Sequence, residues 1–333
     1  MNLDNELNDS LWTDRYGKFN QSDGLSNGKI VNIDGIVDKD AYNPSLCKYD
    51  DIKILAFRCE KRESQINDLI NYHPSIQFAE QDDNLNWKLS NNIAPFDMLE
   101  DPIFVKAQIN DQNCIVFGGV RAKMNSDGKI DVNTELYKGD SLANLEREPF
   151  MIVHGMKDVH LCQLPDGRFL LCRRPIDENG IGHAVLHIVD TLEDLESINE
   201  NIPPVVIELS SSYYGDWVGI NNAYILNDNN IQWIGLLGHV GSSDENGHKH
   251  YAAITYKIKL DDLINGLVTG VEPTIIATRA CFEDGPQKTP VLRDVIFPGS
   301  LEKLDNGQYR LWAGLSDTRI GIIDIDNPFM FDK

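Results

Sequence analysis

The residues best suited to chemistry in this chain are small and polar, and each stands at the entrance to an apolar strand: Asn43, Asp101, Asp158, Asn222 and Asp294. Each opens a segment of one grammar, a strand, a hairpin turn, then an apolar strand that ends in Gly or a charge. The segments run from Tyr42-Asn43-Pro44 to Phe57-Arg58, from Glu100-Asp101-Pro102 to Phe117-Gly118-Gly119, and from Lys157-Asp158-Val159 to Cys172-Arg173. The last two run from Asn221-Asn222-Ala223 to Leu237-Gly238-His239 and from Arg293-Asp294-Val295 to Ala313-Gly314. If the five openings meet, their carboxylates repel one another. Such a cluster needs cations, a sugar's hydroxyls or raised pKa values.

Cations of the required kind lie beside the segment ends. Arg58, Glu60 and Arg62 share one face of a strand, because side chains alternate with period two. Further sets are Lys157, Arg173 and Arg174; His239, Lys249, His250 and Tyr251; and Arg279 and Lys288 ahead of Asp294. In an acidic chain such a collection can form an anion pocket, with Arg offering paired donors to phosphate. Trp217, Tyr213, Tyr214, Trp233 and Trp312 are available to stack on sugar rings. His183 and His187 are spaced for a metal pair only on a helix, and they sit in a strand-like run, so no metal or other cofactor is expected. GxSxG, Walker A and GxGxxG patterns are missing from the sequence.

What must position these residues is a repeated sheet unit. Strand signals dominate, bordered by turn sequences such as Pro165-Asp166-Gly167, Asn227–Asn230 and Asp305-Asn306-Gly307. The openings lie 58, 57, 64 and 72 residues apart by subtraction of their numbers. That is longer than a minimal propeller blade of roughly 40–50 residues, and decorated loops would fill the difference. The expected fold is all-β: a five-bladed β-propeller over residues 1–333, with the active-site funnel at its central axis, where first strands line the channel. The first 25 or so residues are expected to pack as an extension. A β-sandwich is the competing architecture, but its turn signals would come at shorter, unrepeated intervals.

Composition narrows the partners. A net charge of −22 opposes nucleic-acid and anionic membrane surfaces, both of which select surplus Lys and Arg. No run approaches the 18 apolar residues of a membrane span, and Met1–Tyr16 lacks the pattern of a secretory signal. Cys47, Cys59, Cys114, Cys162, Cys172 and Cys281 show no CxxC spacing. They read as buried free thiols of a reducing compartment, the cytoplasm. Oligomeric state is not encoded in any recognisable pattern.

Taken together, several motifs resemble one family. They are Tyr42-Asn43-Pro44, Arg58-x-Glu60-x-Arg62, Glu100-Asp101-Pro102, Phe117-Gly118-Gly119-Val120 and Gly155-Met156-Lys157-Asp158. Leu164-Pro165-Asp166-Gly167-Arg168, Gly238-His239, His250-Tyr251, Ala277-Thr278-Arg279 and Ser316-Asp317 complete the set. From about Ala41 onward the chain is similar to bacterial five-bladed propellers of a domain of unknown function. These are related to β-1,2-mannosyltransferase/phosphorylases of protozoa and to inverting mannoside phosphorylases. The resemblance implies an inverting mannosyl phosphorylase or transferase using mannose 1-phosphate or a sugar nucleotide, and with it a small sugar or sugar-phosphate partner. Asp101 matches the acid/base position. His250, Tyr251 and Lys288 are implied for phosphate, and Asn43, Arg58, Glu60, Arg62, Asp158, Arg173, Asn222, His239, Asp294 and Asp317 for the rest of the substrate. An Asn-Glu pair would be expected to open the fourth repeat, where Asn221-Asn222 stands. The alternatives are a glycoside hydrolase on the same fold, which needs a second carboxylate to activate water, and a non-catalytic sugar-binding propeller.

Overall fold

The computed structural model describes residues 11–12, 14–16, 27–49, 52–62, 72–109, 112–192, 194, 205–209, 213 and 215–330. Its first strands are β1 (Lys29–Val31) and β2 (Ile33–Asp34). Blade 1 is β3 (Lys39–Tyr49), β4 (Ile52–Lys61), β5 (Ser75–Gln81) and β6 (Trp87–Leu89), with β2 on its outer edge and β7 (Phe96–Asp97) paired to β5. Blade 2 is β8 (Glu100–Ile109), β9 (Gln112–Met124), β10 (Ile130–Gly139) and β11 (Met151–His154). Blade 3 is β12 (His160–Gln163), β13 (Phe169–Arg173), β14 (Ala184–Val189) and β15 (Val205–Leu209). Blade 4 is β16 (Trp217–Asp228), β17 (Ile231–Ser243), β18 (Lys249–Lys259) and β19 (Thr274–Thr278). Blade 5 is β20 (Ile296–Lys303), β21 (Tyr309–Leu315) and β22 (Arg319–Ile325), and β1 supplies its fourth, outermost strand. The expected five-bladed propeller is the observed fold.

Hairpin chemistry sets the meander within each blade. Asn229 and Asn230 both take positive φ between β16 and β17, the pairing that a tight right-twisting hairpin requires. Gly167 and Gly307 do the same in the Asp-Gly and Asn-Gly turns of blades 3 and 5. Apolar faces then meet across the gaps between blades. Each gap holds one cluster: Phe78 and Phe117 between blades 1 and 2, Leu136 and Leu171 between 2 and 3, Leu186 and Ile234 between 3 and 4, Leu237 and Leu311 between 4 and 5, and Phe57 and Trp312 between 5 and 1.

The inner strands β3, β8, β12, β16 and β20 each touch the inner strands on both sides, which closes the ring around the axis. Where blades 5 and 1 meet, the approach is backbone to backbone. A Cβ on Gly299 would run into the Pro44 carbonyl oxygen, and one on Gly314 into Asn43. Trp12 is fully buried in the cluster between blades 3 and 4, and Arg15 pairs with the buried Asp216 at 2.5 Å. Most of the first 25 residues lie outside the described residues. All six cysteines are free; five are buried and Cys114 is partly so. Burial pushes the thiols of Cys59 and Cys162 up to about 11 and about 12, which keeps them protonated. Among the described residues no helix is long and apolar enough to cross a membrane.

Candidate functional site

Three blades open with the same unusual backbone. Asn43, Asp101 and Asp158 have φ of 48°, 50° and 55°, the left-handed region that Asn and Asp tolerate better than other non-glycine residues. At Asn43 and at Asp101-Pro102 the ladder between the first and second strands skips, so these residues bulge out of the pairing. The bulged side chains point to the axis. With Asn221 and Gly299 they line a cavity of about 30 Å³ in the channel, too narrow for a sugar ring.

Around Asp101 the groups are tightly interlocked. The Asn43 amide donates to Asp101 Oδ1 at 2.7 Å. Arg58 lies 2.8 Å from Glu100 and 3.7 Å from the same Asp101 oxygen, with Glu60 at 3.5 Å. It also donates to the Tyr72 hydroxyl at 3.2 Å and sits 4.9 Å from the centre of the Tyr42 ring. Tyr72 donates to Glu100, and Tyr42 donates to Glu60. Burial opposes the charge on Arg58, but Glu100, Tyr42, Asp101 and Glu60 outweigh it and hold the guanidinium protonated. The carboxylates respond in the other direction. Burial, with Asp101 and Glu60 nearby, pushes Glu100 up to about 7 against the pull of Arg58. The same causes push Asp317 up to about 6. Asp317 and its neighbour Ser316 form a second left-handed stretch, at φ of 54° and 51°.

The opposite wall is built on Asp158. Burial works against its ionisation, but Arg174 at 2.8 Å, helped by His239 and Lys157, holds its carboxyl below the usual range. His239 is 3.9 Å from the same oxygen, and burial pulls its pKa down to about 4, so it is neutral at pH 7. Its Nδ1 is 2.8 Å from Asn221 Oδ1, which places the proton on Nδ1. The imidazole stacks on Tyr251 at 5.2 Å and 4°, and Gly219 opposite leaves the space it occupies. Tyr251 meets the edge of Trp217, whose ring carries Lys249 at 4.9 Å.

Asn43, Arg58, Glu60, Asp101, Asp158, His239, Tyr251 and Asp317 are therefore brought to one mouth. Lys288 joins them through Glu60, and the other expected residues do not. In blade 4 the ladder skips Asn221, so Asn221 faces the channel, while the Asn222 amide donates to the Gly299 carbonyl at 3.2 Å. In blade 5 the corresponding skip falls at Gly299, not Asp294. Asp294 instead holds His250 at 2.8 Å, and the other nitrogen of that ring lies 3.9 Å from Asp244. Two carboxylates beside one imidazole make His250 a poor phosphate ligand. Lys288 is occupied as well, by Asp40 at 3.2 Å, Glu60 at 3.4 Å and the Lys61 carbonyl at 3.0 Å. Arg62 caps Asp40 at 3.2 Å with its side chain 66% exposed, outside the channel. Arg173 ends β13 on the opposite side from Arg174, and it is Arg174 that reaches Asp158. Of the five aromatic residues set apart for stacking on sugar rings, Trp217 borders the site through Tyr251; Tyr213 packs on Tyr16, Trp233 on Lys257 and Trp312 on Trp87, and Tyr214 lies outside the described residues. Glu100, Tyr72 and Asn221 were not singled out by the sequence, although Glu100 adjoins Asp101 in it.

Comparison with solved structures places this architecture among known propellers. A mannose phosphorylase from Leishmania mexicana, solved with a phosphate ion, is similar over 97% of this chain and 93% of its own, at 23% identity and a TM-score of 0.76. A GDP-Man-dependent mannosyltransferase from the same organism is similar over 92% and 91%, at 23% identity and a TM-score of 0.75. A glycosyl hydrolase from Bacteroides ovatus shares the fold over 95% and 96%, at 11% identity and a TM-score of 0.59. No curated protein matches by sequence. The family model that does match covers residues 17–331, and the chain belongs to that family, described as "Protein of unknown function (DUF1861)".

Proposed function

We propose that the chain is a carbohydrate-active enzyme, an inverting β-1,2-mannosyl phosphorylase or transferase. It would move a mannosyl group from mannose 1-phosphate or a sugar nucleotide to an acceptor hydroxyl, or run the reverse phosphorolysis. The observation that carries this reading is the setting of Asp101. Asn43 and Arg58 both address its Oδ1, which leaves Oδ2 for a proton at the floor of the channel mouth. In synthesis that oxygen takes the proton from the acceptor hydroxyl; in phosphorolysis it returns one to the leaving oxygen. Phosphate is already an anionic nucleophile, so a second carboxylate to activate water is not required. Cations are. Arg174 and Lys157 stand beside Asp158 and supply positive charge there. Glu60, Asp158 and Asp317 are assigned to sugar hydroxyls. The two Leishmania enzymes, one a phosphorylase and one a transferase, support the reaction class at the level of the fold.

The test is phosphate release from mannose 1-phosphate plus mannose, with the unmodified chain and with Asp101→Asn. Release is expected from the parent and a loss of about a hundredfold or more from the variant, the usual size of a general acid–base contribution. Silence from the parent refutes this donor–acceptor pair; equal rates refute the role of Asp101. Cleavage of a β-1,2-mannoside at equal rate without phosphate would instead favour hydrolysis.

A further inference from the structure

Beside the channel lies a larger cavity of about 440 Å³ that the proposed chemistry does not use. It sits between blades 4 and 5 and falls in the size range of small-molecule sites. Two connections join it to the mouth. His250 lines the cavity, while the next residue, Tyr251, stacks on His239 in the channel wall. Arg279 also lines it, and its Nε donates at 3.0 Å to Ser316, the neighbour of Asp317. The cavity wall and the mouth are therefore neighbours through His250-Tyr251 and through Arg279 and Ser316-Asp317.

The lining speaks for an uncharged ligand. Lys249, Arg279 and Arg293 are matched by Asp244, Asp284 and Asp294, so a phosphate would meet as many carboxylates as fixed cations. Vicinal hydroxyls suit such a surface, because each can donate to a carboxylate and accept from a cation. Phe282, Pro290 and Val291 add an apolar wall for the C–H face of a sugar ring. Resting on the mannosyl-transfer reading, we infer that this cavity is the acceptor-side subsite for an uncharged saccharide longer than one ring.

The experiment is calorimetric titration of the full chain with β-1,2-mannobiose and, separately, with inorganic phosphate. Val291→Trp, at an exposed position of the rim, fills the cavity; Asp284→Asn, also exposed, removes one hydroxyl acceptor. Mannobiose affinity is expected to fall about tenfold in Val291→Trp and less in Asp284→Asn, with phosphate affinity unchanged. Unchanged mannobiose binding in both variants overturns the assignment. So does phosphate binding that falls with them, or a parent that binds no mannobiose. Phosphate release from mannose 1-phosphate and mannose in the parent, alongside unchanged mannobiose binding in the variants, defeats the subsite alone. Loss of mannobiose binding in the variants of a parent that releases no phosphate defeats the reaction alone.

Discussion

At the scale of the residue, the small polar openings serve two needs at once. The backbone at 43, 101 and 158 is left-handed, and Asn and Asp are the side chains that tolerate it while pointing a polar group at the axis. Conformation and chemistry therefore select the same residue types, which is why Asn43, Asp101 and Asp158 stand out in the sequence. Glu100 does not, because strand alternation would send it away from Asp101. The bulge over Asp101-Pro102 cancels that alternation and places both acids against Arg58. Glu100 also carries a pH signature. Its folded pKa of about 7 exceeds the ordinary value of 4.5, so its contribution to stability is fully present below 4.5 and lost as pH rises through 7. Glu100→Gln removes that dependence. The melting temperature of the variant relative to the parent is expected to rise steadily between pH 5 and pH 8, read by paired thermal scans; a flat difference would contradict the buried, protonated acid.

At the scale of the element, the inner strand is the unit that sets every distance in the mouth. The repeat grammar is legible because each inner strand is entered by a turn and left by a hairpin, both with strong residue preferences. The exact facing residue is not. In blade 4 a bulged residue moves the inward position from Asn222 to Asn221, and in blade 5 the bulge falls at Gly299 inside β20, whereas Asp294 stands before the strand. Arg173 and Arg174 pose the same difficulty, since β13 ends between them. The glycine in blade 5 is explained by contact, for Gly299 lets β20 lie against Pro44 of β3. Gly299→Ala is therefore expected to cost roughly 2 kcal/mol or more, because backbone must move to admit the methyl group. Urea unfolding measures this, and a loss within about 0.5 kcal/mol, the range of an ordinary surface change, would contradict the close approach.

At the scale of the whole molecule, the ring closes through β1, which pairs Lys29–Val31 with Ile322–Ile320 at the outer edge of blade 5. So short a strand carries too little pattern to be read as the partner of one near the opposite end of the chain, so the closure is invisible in sequence while the blade count is not. The closed ring also gathers Glu60, Glu100, Asp101, Asp158 and Asp317 from four blades into one mouth, inside a chain of net charge −22. Such a mouth is a proton store. Glu100 and Asp317, at about 7 and about 6, are only partly ionised near neutrality. An arriving anion raises carboxylate pKa values further, so binding mannose 1-phosphate should draw protons from solution. Calorimetric titrations at pH 7 in buffers of different ionisation enthalpy should show this as a net uptake, and zero uptake or release would contradict it. Donor capture would then grow stronger as the surroundings acidify toward pH 6, making the occupancy of the site a gauge of ambient acidity.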